Sequence, residues 1–204
     1  MVVQLTGEHA ARSFARRTPA TEALGQDAEN IAAACHAMAA RFHAGGRLIC
    51  FGNGAAAADA AHLAVEFVHP VIVGKRALPA QSLVNDPATI TGIARRSGFD
   101  DVFAAQLRAL GRPDDIALGI SADGECANVV RALDEAHGHG LLTIALAGAG
   151  GGAVADLPGI DHVIVAGSAD PDVVKEMHVT TYHVLWELVH VFLEQPAIFA
   201  APTR

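Results

Sequence analysis

The chain has 204 residues, 51% of them hydrophobic and only 5% aromatic, so one domain with a core of Ala, Val, Leu and Ile is expected. A formal net charge of −8 argues against a nucleic-acid backbone as the main partner. Cys35, Cys50 and Cys126 form no CxxC motif, and the longest apolar run, 141–154, is too short and Gly-rich to span a membrane.

The odd cysteine count reads as buried, reduced thiols in a cytoplasmic protein. Arg12, Arg16 and Arg17 precede no apolar run of the kind a signal peptide carries. Residues 1–20 read as a short helix or loose arm ending at Thr18-Pro19. Residues 21–44 place Leu24, Ala28, Ile31, Cys35, Met38 and Phe42 at helical spacing, and Gly45-Gly46 stops that single helix. Leu48 to Phe51 has the length of a buried strand. Gly52-Asn53-Gly54 breaks it, and the polyalanine stretch that follows predicts a helix over 55–67, closed by His69-Pro70.

Beyond it, the pattern predicts a strand over 79–84. Asn85-Asp86-Pro87 signals the start of a helix over 88–94, and a further helix covers 102–110. A strand over 115–120 runs into the turn Ser121-Ala122-Asp123-Gly124, followed by a helix over 127–137. A strand over 141–146, a glycine-rich turn, a short helical turn over 154–157 and a strand over 162–166 come next. Asp170-Pro171-Asp172 caps a long helix over 173–194. Strands alternating with helices imply a parallel sheet covered on both faces, with ligands outside the carboxyl ends of its strands.

The strand–turn–helix of 47–69 is the stretch of greatest chemical interest. Glycines that admit close approach, free N–H groups and a helix dipole make a site for an anion. The dinucleotide fingerprint is incomplete, because its third glycine would fall on Ala57, so NAD is not expected. Asp59, His62 and Glu66 lie at i, i+3 and i+7, on one face of an alanine-rich helix. The plainer reading is a tight turn followed by a surface His–Glu pair.

Three blocks carry a resemblance: GNGAAAADAAH (52–62) with Glu66, GFDDVFAAQLRALGRPDDIALGIS (98–121) and VKEMHVTTYHVLWELVH (174–190). Over nearly its whole length the chain resembles the SIS (sugar isomerase) domain family, in particular its phosphoheptose isomerases. It is also similar to the DnaA initiator-associating proteins. The resemblance implies one SIS domain over 1–204, with an N-terminal helical arm (about 1–44) and a long C-terminal helix (about 173–194). The implied fold is α/β, a flavodoxin-like three-layer sandwich with a five-stranded parallel sheet. It also implies a cytoplasmic homotetramer whose sites lie between subunits, acting on a sugar phosphate.

In that family a glutamate matching Glu66 moves the carbon-bound proton, and a histidine matching His183 serves the sugar oxygens. On residues alone, His183 reads equally as a core or interface histidine beside His178 and His190. The reaction requires no cofactor. Metal-bound members hold zinc through residues matching His62, Glu66 and His183 and a glutamine. This chain has Lys175 there, a poor zinc ligand expected to pair with Glu66 instead.

The substrate-binding positions implied by the resemblance are Gly52, Asn53, Gly54, Asp86, Arg95, Arg96, Ser121, Asp123, Asp172 and Lys175. The family's phosphate turn, Ser-Thr-Ser-Gly-Asn-Ser, is Ser121-Ala122-Asp123-Gly124-Glu125-Cys126 here, and carboxylates beside a dianion are repulsive. Arg95 and Arg96 either replace the lost anion contacts, pair with Asp123, or form a solvated surface pair. Two functions follow: an aldose–ketose isomerase with an altered phosphate loop, or a non-catalytic SIS scaffold that binds a protein partner or senses a sugar phosphate.

Overall fold

The computed structural model describes residues 6–195. Its elements in order are α1 (Gly7–Ala15), α2 (Thr18–Gln26), α3 (Ala28–His43), β1 (Leu48–Gly52), α4 (Ala55–Val68), β2 (Ala80–Ser82) and α5 (Pro87–Ser97). They continue with α6 (Ala104–Leu110), β3 (Ile116–Ser121), α7 (Ala127–Gly138), β4 (Leu142–Ala147), α8 (Gly152–Ala155), β5 (His162–Val165) and α9 (Pro171–Leu193).

All five strands are parallel, in the order β2-β1-β3-β4-β5. Every residue of β1, β3 and β4 is buried, as expected of strands covered on both faces. Alternate residues then serve two cores. Leu48, Cys50, Ile116, Leu118, Ile144 and Leu146 face α3, α4 and α9. Ile49, Phe51, Ala117 and Ala145 face α5, α6 and α7. This is the expected three-layer sandwich. Because β1 lies between β2 and β3, the chain leaves β1 toward β2 and leaves β3 toward β4, in opposite directions, so the loops after β1 and β3 part at the carboxyl ends of those strands.

Several boundaries depart from the pattern reading. The single helix expected over 21–44 is two, broken at Asp27, whose ψ of 16° leaves the helical range. Asn30 Nδ2 holds the Asp27 carboxylate at 3.0 Å, and the apolar spacing runs through the break because both pieces pack on α9. Thr18-Pro19 opens α2 rather than ending the arm, since proline is tolerated in a first helical turn. The strand expected over 79–84 pairs only through Ala80–Ser82. The helix expected over 102–110 starts two residues later, as α6, behind a 3₁₀ turn at Phe99–Asp101.

The amino-terminal edge of the sheet is tied by Asp115, 2% exposed. Its carboxylate accepts from Arg47 N (3.1 Å), Arg47 Nε (3.0 Å) and Arg112 N (3.1 Å). Asp115→Ala strands these donors, and urea denaturation should show a loss of about 3 kcal/mol with an unchanged m value.

Candidate functional site

Gly52 ends β1 where the chain must clear two neighbours. A Cβ there would stand 2.8 Å from the Ile120 carbonyl oxygen and 2.9 Å from Ala56 Cβ, so only glycine lets α4 start directly beneath β3. Gly54 (φ 56°, ψ −119°) completes the turn in a conformation that L side chains rarely adopt. Between them Asn53 exchanges two amide hydrogen bonds with Asn128, at 2.7 and 2.9 Å. Asn128 is buried in the first turn of α7, so this pair joins the two loops at the switch point.

On α4 the three polar residues do share a face, and α9 meets each of them. Buried Asp59 takes Lys175, whose ammonium also lies 3.5 Å from the Ala55 carbonyl. The expected Lys175–Glu66 pair is therefore corrected to Lys175–Asp59, because Lys175 packs two turns nearer the start of α4. His62 Nε2 lies 3.1 Å from Glu66 Oε1, and its Nδ1 lies 2.7 Å from Tyr182 Oη. Trp186 Nε1 donates to the Glu66 carbonyl at 2.9 Å. His183 is exposed, its ring centroid 5.5 Å from that of His62 and 4.8 Å from that of Tyr182.

One ligand atom each from His62, Glu66 and His183 falls within 4.8 Å of the others. Two imidazoles and a carboxylate with one side open are a donor set that fits zinc in its catalytic form. Lys175, held on Asp59, is no fourth ligand. Deeper in, the Asp59 Oδ2 and His178 Nε2 atoms have no hydrogen-bond partner among the described residues. Burial holds His178 below the ordinary histidine range, and burial first, then the Asp59 and Glu66 charges, pushes the Tyr182 phenol up to about 12.

The Ser121–Cys126 turn is occupied by its own acids. Ser121 Oγ donates to Asp123 Oδ1 (3.3 Å) and accepts from Gly124 N (3.0 Å). Glu125 N donates to Asp123 Oδ1 (2.9 Å), and Ala153 N to Glu125 Oε1 (3.2 Å). Donors that an incoming anion would use are thus already engaged by carboxylates. Asp86 caps α5, accepting from Ala88 N and Thr89, and these bonds, the Thr89 hydroxyl first, hold its carboxyl below the usual range. Arg95 and Arg96 are exposed in the last turn of α5, and neither forms an ion pair among the described residues, so pairing with Asp123 is not seen. Asp172 is exposed in the first turn of α9.

Sequence reading passed over Asn128, Tyr182 and Trp186. Asn128 carried no motif. Tyr182 and Trp186, at i+7 and i+11 from Lys175, carried a signal as large polar-tipped residues on the face shared with Lys175.

A family model described as SIS domain matches residues 14–148. The phosphoheptose isomerase of Desulfovibrio desulfuricans is 41% identical over 166 residues, covering 81% of this chain and 78% of that protein. That of Chlorobium phaeobacteroides is 41% identical over 178 residues, covering 86% and 78%. The solved phosphoheptose isomerase of Neisseria gonorrhoeae superposes with a TM-score of 0.82 at 32% identity, over 89% of this chain and 97% of that one.

The buried Asp59 makes Lys175 structurally costly to lose. Lys175→Met should destabilise the protein by about 2 kcal/mol, less than a fully buried pair because the ammonium is partly exposed. Adding Asp59→Asn should recover most of that loss. Thermal denaturation of the two single variants and the double variant measures the coupling.

Proposed function

The chain belongs to the SIS domain family, in its phosphoheptose isomerase group, and we propose that it is an aldose–ketose isomerase acting on a sugar phosphate through an enediol(ate). The observation that carries this reading is the convergence of Glu66 and His183 at the open side of α4 and α9. Glu66 moves the proton between C1 and C2. His183 moves it between O1 and O2, so each group transfers a proton within its own reach.

The anionic end of the substrate lies at the Gly52–Gly54 backbone, with Asn53 and Ser121 beside it. Asp86, Asp172 and Lys175 border the sugar, and Arg95 and Arg96 stand ready to meet charge from the rim. The carboxylates of the 121–126 turn point to a substrate other than the usual heptose phosphate. A scaffold that binds a protein partner is the other reading of that turn, and the relatives' names favour the isomerase. Where zinc is bound, His62, Glu66 and His183 hold it, and it would polarise a sugar oxygen; no cofactor is otherwise required.

The enzyme is proposed to be a cytoplasmic homo-oligomer, a tetramer with sites between subunits. Val65, Val68, Val71, Ile72 and Val73 leave an exposed apolar strip around the end of α4, which supports association between copies. No helix among the described residues is long and apolar enough to cross a membrane.

Proton exchange in D2O tests the reading. NMR of the protein with sedoheptulose 7-phosphate and a panel of aldose and ketose phosphates, with and without zinc, should show deuterium entering C1 or C2 of one compound. Glu66→Gln should abolish that signal while the mass in solution stays tetrameric; unchanged exchange removes Glu66 from the mechanism. Asp123→Ser combined with Cys126→Ser should tighten sugar-phosphate binding, by about tenfold if one repulsive carboxylate is relieved. Unaltered affinity would place the anion elsewhere.

A further inference from the structure

His62 is held from both sides. Its Nδ1 is 2.7 Å from Tyr182 Oη and its Nε2 is 3.1 Å from Glu66 Oε1. Tyr182 is 1% exposed, and His62 is its side chain's hydrogen-bond partner among the described residues. A neutral imidazole carries one N–H, so the two contacts admit few arrangements. With the proton on Nδ1, the Nε2 lone pair would face a carboxylate oxygen, lone pair against lone pair. With both nitrogens protonated, Tyr182 would have to accept, and its own buried hydroxyl proton would have no acceptor among the described residues. With the proton on Nε2, the phenol donates to Nδ1 and Nε2–H donates to Glu66. Every group is then satisfied, and the two bonds run in one direction and reinforce each other.

We infer that Tyr182 is a positioning residue that fixes His62 as the Nε2–H tautomer and so holds the Glu66 carboxylate for proton transfer. This rests on the isomerase reading only for its catalytic consequence. Glu66 must keep one oxygen free to take a carbon-bound proton. His62 engages Oε1, and that leaves Oε2 for the substrate. Trp186 pins the same residue by its backbone carbonyl, so α9 holds Glu66 directly at its carbonyl and through His62 at its carboxylate.

The test is long-range ¹H–¹⁵N correlation on ¹⁵N-labelled, chelator-treated protein, with the His62 ring assigned by its loss in His62→Gln. The wild type should show His62 protonated on Nε2 alone. Tyr182→Phe keeps the ring packed and removes only the hydroxyl. It should shift the His62 ring signals toward a mixture of tautomers and lower the exchange rate at the substrate carbon about 10- to 100-fold, with KM changed less than about twofold. A wild-type His62 protonated on Nδ1, or on both nitrogens, overturns the inference. So does a Tyr182→Phe protein whose His62 signals match the wild type, or whose turnover is unchanged where the wild type turns over. A wild type inactive on every sugar phosphate sinks the isomerase reading instead, and the ring signals still decide the role of Tyr182.

Discussion

The missing Cβ of Gly52 sets how closely α4 can approach the sheet. Without it the first turn of α4 lies against the end of β3, and small side chains carry that closeness along the helix. Ala60 and Ala64 are buried with Leu63 and Phe67, so α4 lies low on the sheet. A helix seated this low leaves α9 near enough to reach across it. Lys175, Tyr182 and Trp186, one after another along α9, then find Asp59, His62 and the Glu66 carbonyl along α4. Bulkier residues on the α4 seam would hold the helices apart, and these side chains would reach water instead.

The same closeness explains why charges are tolerated in this interior. A carboxylate as buried as Asp59 is stable only with a partner, and a lysine stem suits the task because its methylenes cover apolar surface while its head meets the oxygen. Glu66 differs, because its carboxylate partner is an imidazole, His62, at 3.1 Å, and not a lysine. The two acids of α4 are thus separated in role by what α9 brings to each. At the far side of the mouth, the 121–126 turn makes the opposite choice. It satisfies its backbone with carboxylates of its own, and any phosphate must compete with them.

Much of the fold was readable because parallel strands buried on both faces are short apolar runs, and glycine or Asx–Pro pairs punctuate them. Leu48–Phe51, Ile116–Ile120 and Leu142–Leu146 carry that pattern without ambiguity. The break at Asp27 was not readable, since apolar spacing reports the face a helix buries and is blind to a kink that preserves it. In the site, Asp59, His62 and Glu66 were legible from helical spacing within one element. Their partners were not, because pairing Lys175 with Asp59 rather than Glu66 depends on the relative height of two helices more than a hundred residues apart. Asn128 was invisible for the same reason, its only signal being a contact with a loop across the sheet.

Trp186 is the one tryptophan in the chain. It sits 6% exposed between the carbonyl of Glu66 and the ring of His190, whose centroid is 4.5 Å away. The chain therefore carries a single indole fluorophore, at the junction of α4 and α9. Its emission has no background from a second indole elsewhere. Any movement of α9 relative to the helix that bears Glu66 is reported optically by the unmodified chain, with no label to attach.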